Sequence, residues 1–318
     1  MKVVAILGGL GSQMFKYAFY LQIKNSDDCY IDTMPYRLQK MWNGYELKRI
    51  FNIEAKDITE TFTEEELENI SEQTTNYKYT GEIMIKRLDS SRPVINIFRG
   101  YLYPQKEYKF LVLLSLGYNK IKRIFKKNND FYDTWPVLYR TSFFSIYYDE
   151  FNHTSNQYIG GRAYQKTLQN VFRFPDFTDE MNIQTAKEMG KTESVSMHIR
   201  RSDHLYDNKQ LFDHHYFARA VQYIKHKVSY PVFYLFSDEL SWCNEHLSEL
   251  GLESNDKVIL VDWNQNTESY RDMQLMTYCK HNILAISSFS WWGYYLSKHE
   301  NKIVCAPEGY WLEVPVHF

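Results

Sequence analysis

The chain has 318 residues, 44% of them hydrophobic and 17% aromatic, which supplies a large core and argues against intrinsic disorder. Lys and Arg total 37 and Asp and Glu 39, a formal net charge of −2 that argues against nucleic-acid binding. At roughly 150 residues per domain, the length suggests about two domains.

Val3 to Leu7 is a short β-branched apolar run that ends in Gly8-Gly9-Leu10-Gly11-Ser12. Met14, Phe15, Ala18, Phe19 and Leu21 follow at helical spacing, so the opening reads as strand, glycine turn and helix. Cys29 to Asp32 reads as a second strand and completes a βαβ unit. The stretch from Glu54 to Arg92 is polar and mostly helix or loop. Pro93 to Phe98 reads as another strand, and Tyr103 to Lys127 as a long helical region. Within Lys106 to Lys127 stand seven basic residues and one acid among many apolar ones, a core helix with a solvated basic end or a face suited to an anionic membrane.

From Ser194 onward strand-like runs recur at Val195–Ile199, Val232–Phe236, Val258–Val261, Ile283–Ile286 and Ile303–Cys305. Helical patterns lie between most of them, one from about Asp238 to Gly251 and one from about Glu268 to Cys279. Alternating β and α elements imply a parallel sheet covered on both faces. Two α/β halves are therefore expected, 1–175 and 176–318, with the joint in the region of Gly160-Gly161 and Pro175.

Cys29, Cys243, Cys279 and Cys305 are too scattered for a zinc or redox motif and read as reduced, buried thiols of a cytoplasmic protein. No apolar stretch approaches the ~20 residues that span a bilayer.

Three segments carry candidate chemistry. Gly9-x-Gly11 between a strand and a helix allows close backbone approach of an anion, and with Asp32 it forms part of a dinucleotide fingerprint whose third glycine is replaced by Met14. An NAD(P)-dependent oxidoreductase is thus one alternative; a non-catalytic sugar-binding protein, suggested by the aromatic content, is another. In Ser196-Met197-His198-Ile199-Arg200-Arg201-Ser202-Asp203, period-2 alternation puts Ser196, His198 and Arg200 on one strand face, with Arg200 and Arg201 at the carboxyl end. Guanidinium forks there suit a diphosphate; the plain alternative is a surface pair with Asp203. Ser287, Ser288 and Ser290 open a helix after a further strand, where hydroxyls cap the helix or hold phosphate. Trp291 and Trp292 read as core. No D-x-D triplet, HExxH or Walker A motif occurs, so no metal is expected.

Together, the segments Gly8 to Ala18, His198 to Asp203, Phe236-Ser237-Asp238-Glu239-Leu240-Ser241-Trp242 and Ser287 to Gly293 resemble those of the bacterial α-1,2-fucosyltransferases, glycosyltransferase family 11. The resemblance runs from residue 3 to about residue 307. It implies a GT-B fold, two Rossmann-like domains facing a central cleft, with the acceptor on the N-terminal domain and the donor on the C-terminal one. It further implies inverting, metal-independent transfer of L-fucose from GDP-L-fucose to the 2-hydroxyl of a galactose in a glycan. GDP-fucose is then a substrate, and no cofactor is implied.

By position, Arg200 corresponds to the arginine that binds the donor β-phosphate, with Arg201 beside it. His198 and Asp272 fall near the guanosine, and Ser287, Ser288 and Ser290 at the phosphates. Gly9, Gly11, Ser12 and Gln13 form the loop toward the cleft. Asp203 is the nearest carboxylate to the arginines, a candidate base or an orienting group. Three positions depart from the family pattern: Ser12 for Asn, Ser202 for Gly and Ile286 for Asn. For members that build surface polysaccharides, the basic segment from Lys106 to Lys127 would rest on the inner membrane.

Overall fold

A computed structural model describes all residues except 25–27, 75–76, 99–100, 105–144, 149–161, 202–210, 213–214, 308–315 and 318. It divides into two compact units, Met1–Gly161 and Arg162–Phe318. The division precedes the expected joint at 175/176 because the helix Arg162–Val171 packs onto the second unit: Gln165 Nε2 donates to the Tyr295 carbonyl at 2.6 Å, and Phe172 meets Trp292 edge to face.

In the first unit β1 (Lys2–Ala5), β2 (Cys29–Asp32), β3 (Val94–Phe98), β4 (Tyr101–Pro104) and β5 (Ser145–Tyr148) form a sheet of order β2-β1-β5-β3-β4. All neighbours are parallel except β3 and β4. Tyr103 and Pro104 therefore belong to a strand, not to the expected helix, because β4 pairs back onto β3; Lys106 to Lys127 lies outside the described residues. Helices Glu64–Gln73 and Tyr77–Leu88 occupy the polar middle, the former opened by a Thr63/Glu66 capping box.

Close approach of backbone to ring fixes one position in this unit. A Cβ on Gly81 would lie 1.9 Å from the ring of Tyr147, a fully buried residue of β5. The Tyr147 hydroxyl donates to Asp32 Oδ2 at 2.6 Å, so the ring cannot swing aside without breaking a buried hydrogen bond to a carboxylate. Gly81→Ala is accordingly expected to destabilise the chain by about 1–3 kcal/mol, read from the urea midpoint. An unchanged midpoint would mean that the helix shifts freely.

In the second unit β6 (Glu193–Ile199), β7 (Pro231–Ser237), β8 (Lys257–Leu260), β9 (His281–Ile283), β10 (Val304–Ala306) and β11 (Val316–His317) are all parallel, in the order β8-β7-β6-β9-β10-β11. This is the doubly wound Rossmann order, and it reverses direction between β6 and β9. Val195, Met197 and Ile199 of β6, Phe233 and Leu235 of β7, and Ile283 of β9 fill one core layer beneath the helix Tyr216–Lys227. On the other face Tyr234 and Phe236 pack with Leu275, Met276 and Met189.

Two expected boundaries shorten. The helix after β7 covers only Leu240–Glu245, with turns carrying the chain to Gly251, whose φ of +85° suits glycine. The strand expected over Ile283–Ile286 is instead His281–Ile283, which leaves Leu284 to Ser287 as the loop leading into the helix Ser288–Leu296. That helix lies close against Tyr270–Tyr278, since a Cβ on Gly293 would come within 2.7 Å of Met276 Cβ. Trp291 and Trp292 are buried, and all four cysteines are buried free thiols.

Candidate functional site

Open α/β sheets hold ligands outside the carboxyl ends of the strands where the strand order reverses. In the second unit that point lies between β6 and β9. The loop after β6 carries Arg200 and Arg201, and the loop after β9 carries Ser287 and leads to Ser288 and Ser290. Two segments far apart in sequence thus meet at one sheet edge. The His198 ring packs against Phe289, centroids 5.8 Å apart, and joins them physically.

His198 is the penultimate residue of β6 and is buried. Burial, reinforced by the nearby Arg200 cation and opposed by Asp238, pulls its pKa down to about 3, so the ring is neutral at physiological pH. Its Nδ1 has no hydrogen-bond partner among the described residues. A buried ring nitrogen in that condition at a ligand-binding edge is suited to a polar ligand atom.

The two arginines have different surroundings. Arg201 is clamped: Nε donates to Glu239 Oε2 at 2.9 Å, its backbone N–H donates to Asp238 Oδ1 at 3.0 Å, and the guanidinium lies 3.7 Å from the Trp242 ring centroid. Phe212 flanks it at 5.3 Å. Arg200 meets Asp238 Oδ2 at 3.4 Å, an ion pair longer than a strong hydrogen bond, with a quarter of its side chain exposed. Arg201 therefore fixes the loop, and Arg200 stands beside it at the strand end with a quarter of its side chain exposed.

The segment Phe236 to Trp242 takes its role from the sheet, because β7 lies beside β6 in register and sets Asp238, Glu239 and Trp242 against the arginine pair. Among the described residues these arginines pair with Asp238 and Glu239. Asp203 and Ser202 lie outside the described residues.

Ser287 caps the helix Ser288–Leu296, accepting from Phe289 N–H at 3.2 Å. Ser290 is buried and donates to the Ser287 carbonyl at 3.3 Å. Ser288, half-buried at the first helical position, presents its hydroxyl where anions gain from the helix N-terminus.

Asp272 stands in the first turn of Tyr270–Tyr278. Asn264 Nδ2 donates to its Oδ1 at 2.8 Å, and Asn264 exchanges hydrogen bonds with Asn182, which Asp179 in turn holds through Asn182 Nδ2 at 3.0 Å. Trp263 Nε1 completes the network by donating to Asn182 Oδ1. Burial pushes the Asp272 carboxyl up to about 7, against the pull of the Asn264 hydrogen bond.

In the first unit Gly9 is the N-cap of the helix Leu10–Ile23, and Gly8, with φ +92°, turns the chain out of β1. Gly11 is buried and Ser12 half-buried in the first turn. Gln13 is not presented to a ligand. It is fully buried, donates to the carbonyls of Gly8 and Gly44 at 3.1 and 2.8 Å, and accepts from Glu46 N–H at 2.9 Å. Asp32 is likewise consumed by the fold: its carboxylate takes the Tyr147 hydroxyl and the Met34 N–H at 2.8 Å. A fully buried Asp32 with those partners cannot serve as the ribose-binding acid of an NAD site, which removes the main support for the oxidoreductase alternative.

Among the described residues no group of three or more His, Cys, Asp or Glu is placed to hold a metal ion, and no helix is long and apolar enough to cross a membrane.

The sequence profile of Glycosyl transferase family 11 matches residues 2–310. An Alpha-1,2-colitosyltransferase of Escherichia coli is 36% identical over 127 residues, 38% of this chain and 42% of that protein. The O-antigen biosynthesis glycosyltransferase WbnK of Escherichia coli is 33% identical over 120 residues, 36% of this chain and 38% of that protein. Human Galactoside alpha-(1,2)-fucosyltransferase 1 is 29% identical over 108 residues, 32% of this chain and 28% of that protein. The matched stretch thus spans less than half the length of each relative. The crystal structure of fucosyltransferase NodZ from Bradyrhizobium aligns over 92% of this chain and 91% of its own, at 12% identity and a TM-score of 0.47.

Proposed function

Since the chain belongs to Glycosyl transferase family 11, we propose that it transfers L-fucose from GDP-L-fucose to the 2-hydroxyl of a galactose in a glycan, with inversion and without a metal. One observation carries this reading: the reversal of strand order between β6 and β9 gathers Arg200, the His198 Nδ1 and the Ser287–Ser290 helix start at a single edge. Two phosphates and a nucleoside fit that chemistry. In this reading the second unit binds the donor, the first unit the acceptor, and the two form a GT-B enzyme.

As the sugar leaves, negative charge gathers on the β-phosphate and the sugar becomes oxocarbenium-like. A guanidinium fixed at that oxygen binds the transition state more tightly than the ground state, which is the service a divalent ion performs elsewhere. Ser288 and the helix N-terminus share the charge. Asp203 is the proposed base or orienting carboxylate.

Colitose, the 3-deoxy counterpart of fucose, is the second donor reading; it is favoured by the name of the first relative above and by Ser12 standing where the family pattern has Asn. Peripheral contact with an anionic membrane rests on the charge of Lys106 to Lys127 alone.

The deciding assay offers GDP-fucose and GDP-colitose with a galactoside and follows GDP release and product linkage, with and without EDTA. Transfer to the 2-hydroxyl, undiminished by EDTA, is expected. Activity lost in EDTA and restored by Mn²⁺ would overturn the metal-free mechanism, and transfer from a uridine or adenosine diphosphate sugar instead would overturn the donor.

A further inference from the structure

We propose that Trp42 is the stacking platform for the galactose ring of the acceptor, on the carboxyl edge of the first sheet. The inference rests on the transferase reading only in naming the galactoside as acceptor.

Met41 to Gly44 forms a turn closed by Gly44 N–H to the Met41 carbonyl at 2.9 Å. Trp42 is its second residue, with φ of +43°, the left-handed region that favours glycine. The residue is 55% exposed. A bulky side chain thus occupies strained backbone without gaining a buried place for its ring. Strain kept without a packing reward points to function rather than folding.

The turn is held firmly. Gln13 grips it from below, its Nε2 bonding both the Gly44 carbonyl and the Gly8 carbonyl of the β1 loop, its Oε1 taking the Glu46 N–H. The β1 loop that Gln13 links to the turn is held in addition by the Tyr36 hydroxyl, which donates to the Gly8 carbonyl at 2.7 Å. The indole lies beside Gly9, where an added Cβ would touch Cδ1 at 3.6 Å and Nε1 at 3.7 Å. Trp42 makes no ring contact with another aromatic among the described residues, and more than half of the residue is exposed.

The choice of occupant follows from chemistry. The arginines and serines proposed to hold the diphosphate belong to the second unit, whereas this edge offers an exposed indole beside Gly9. An indole face is electron-rich and attracts polarised C–H groups. A galactopyranose, whose axial 4-hydroxyl leaves the C3, C4 and C5 hydrogens together on one face, presents such a patch; a glucopyranose does not.

The test measures binding of methyl β-D-galactopyranoside and its gluco epimer to the full chain by saturation-transfer NMR, and separately the kinetics with GDP-fucose. Trp42→Ala is expected to weaken galactoside binding and raise the acceptor KM, each about tenfold, with kcat at saturating acceptor affected far less. Trp42→Phe is expected to keep both. Trp42→Gly relieves the backbone, so its thermal midpoint is expected to equal or exceed that of the parent while galactoside binding weakens, a combination that a structural tryptophan would not give. Unchanged acceptor KM and unchanged galactoside binding in Trp42→Ala would overturn the platform, as would equal affinity for the two epimers. A parent chain that transfers no sugar yet binds the galactoside more weakly in Trp42→Ala would overturn the transferase reading and leave the platform standing.

Discussion

Arg200→Lys is expected to lower kcat by roughly 100-fold to 1,000-fold, the loss that follows removal of a single donor to transition-state charge, while the urea midpoint scarcely moves. The stability side follows from geometry. Arg200 reaches Asp238 Oδ2 at 3.4 Å with a quarter of its side chain in solvent, and such pairs contribute about 0–1 kcal/mol. Asp238 is not orphaned by the change, because it still accepts from the Arg201 N–H. The catalytic side follows from shape: a guanidinium gives a diphosphate two parallel N–H bonds, whereas an ammonium on a shorter reach gives a point charge. Arg201→Lys is expected to show the opposite pattern, since its loss breaks the Glu239 hydrogen bond and the stack on Trp242. Saturating GDP-fucose assays beside urea titrations check both variants. Normal turnover in Arg200→Lys would assign this arginine to the surface pair.

Sequence periodicity disclosed most strands, since Val195 to Ile199 alternates apolar and polar residues, Val232 to Phe236 is a β-branched and aromatic run too short for a helix, and β6 and β7 contain them. It also placed Arg200 and Ser287 at strand ends. Which strand ends are neighbours was not legible, because β6 and β9 pair across more than eighty residues of chain and no local pattern encodes that choice. Asp238 and Glu239 were missed as arginine partners for the same reason: they reach the site only through the register of β7 on β6. Asp32 read as the acid of a dinucleotide fingerprint and Gln13 as part of a cleft loop, but the structure buries both side chains. In both cases the ligand is the chain itself, supplied by Tyr147 and Met34 for one and by Gly8, Gly44 and Glu46 for the other. A buried polar side chain is matched by whatever donor the tertiary fold delivers, and sequence distance hides it.

The affinity for GDP-fucose is expected to weaken about tenfold for each pH unit below about 7 and to level off above it, with Asp272 as the titrating group. Burial raises this carboxyl, so in the unliganded protein it is protonated below that pH and ionised above it. The guanine N1–H and N2–H form a donor pair, and only the carboxylate meets both with acceptors. Below pH 7 binding must therefore expel a proton, and each unit of acidity opposes it by a factor of ten. For stability the sign is the reverse of a salt-bridged aspartate. The folded-state pKa lies above the unfolded one, so the penalty for an ionised, desolvated Asp272 is absent below about pH 4, grows up to about pH 7 and is constant beyond. Nucleotide binding offsets that penalty, which makes thermal stabilisation by GDP-fucose larger at pH 8 than at pH 6. Asp272→Asn keeps the volume and a hydrogen bond with Asn264 but offers one acceptor where two are needed. It is expected to bind GDP-fucose roughly 10-fold to 100-fold more weakly at pH 8, the range for one lost charge-assisted hydrogen bond, and to lose the pH dependence. The diester of GDP-fucose has no phosphate ionisation near neutrality, so titration calorimetry from pH 5.5 to 8.5 reads the protein alone. A pH profile that survives in Asp272→Asn would assign the proton to another group.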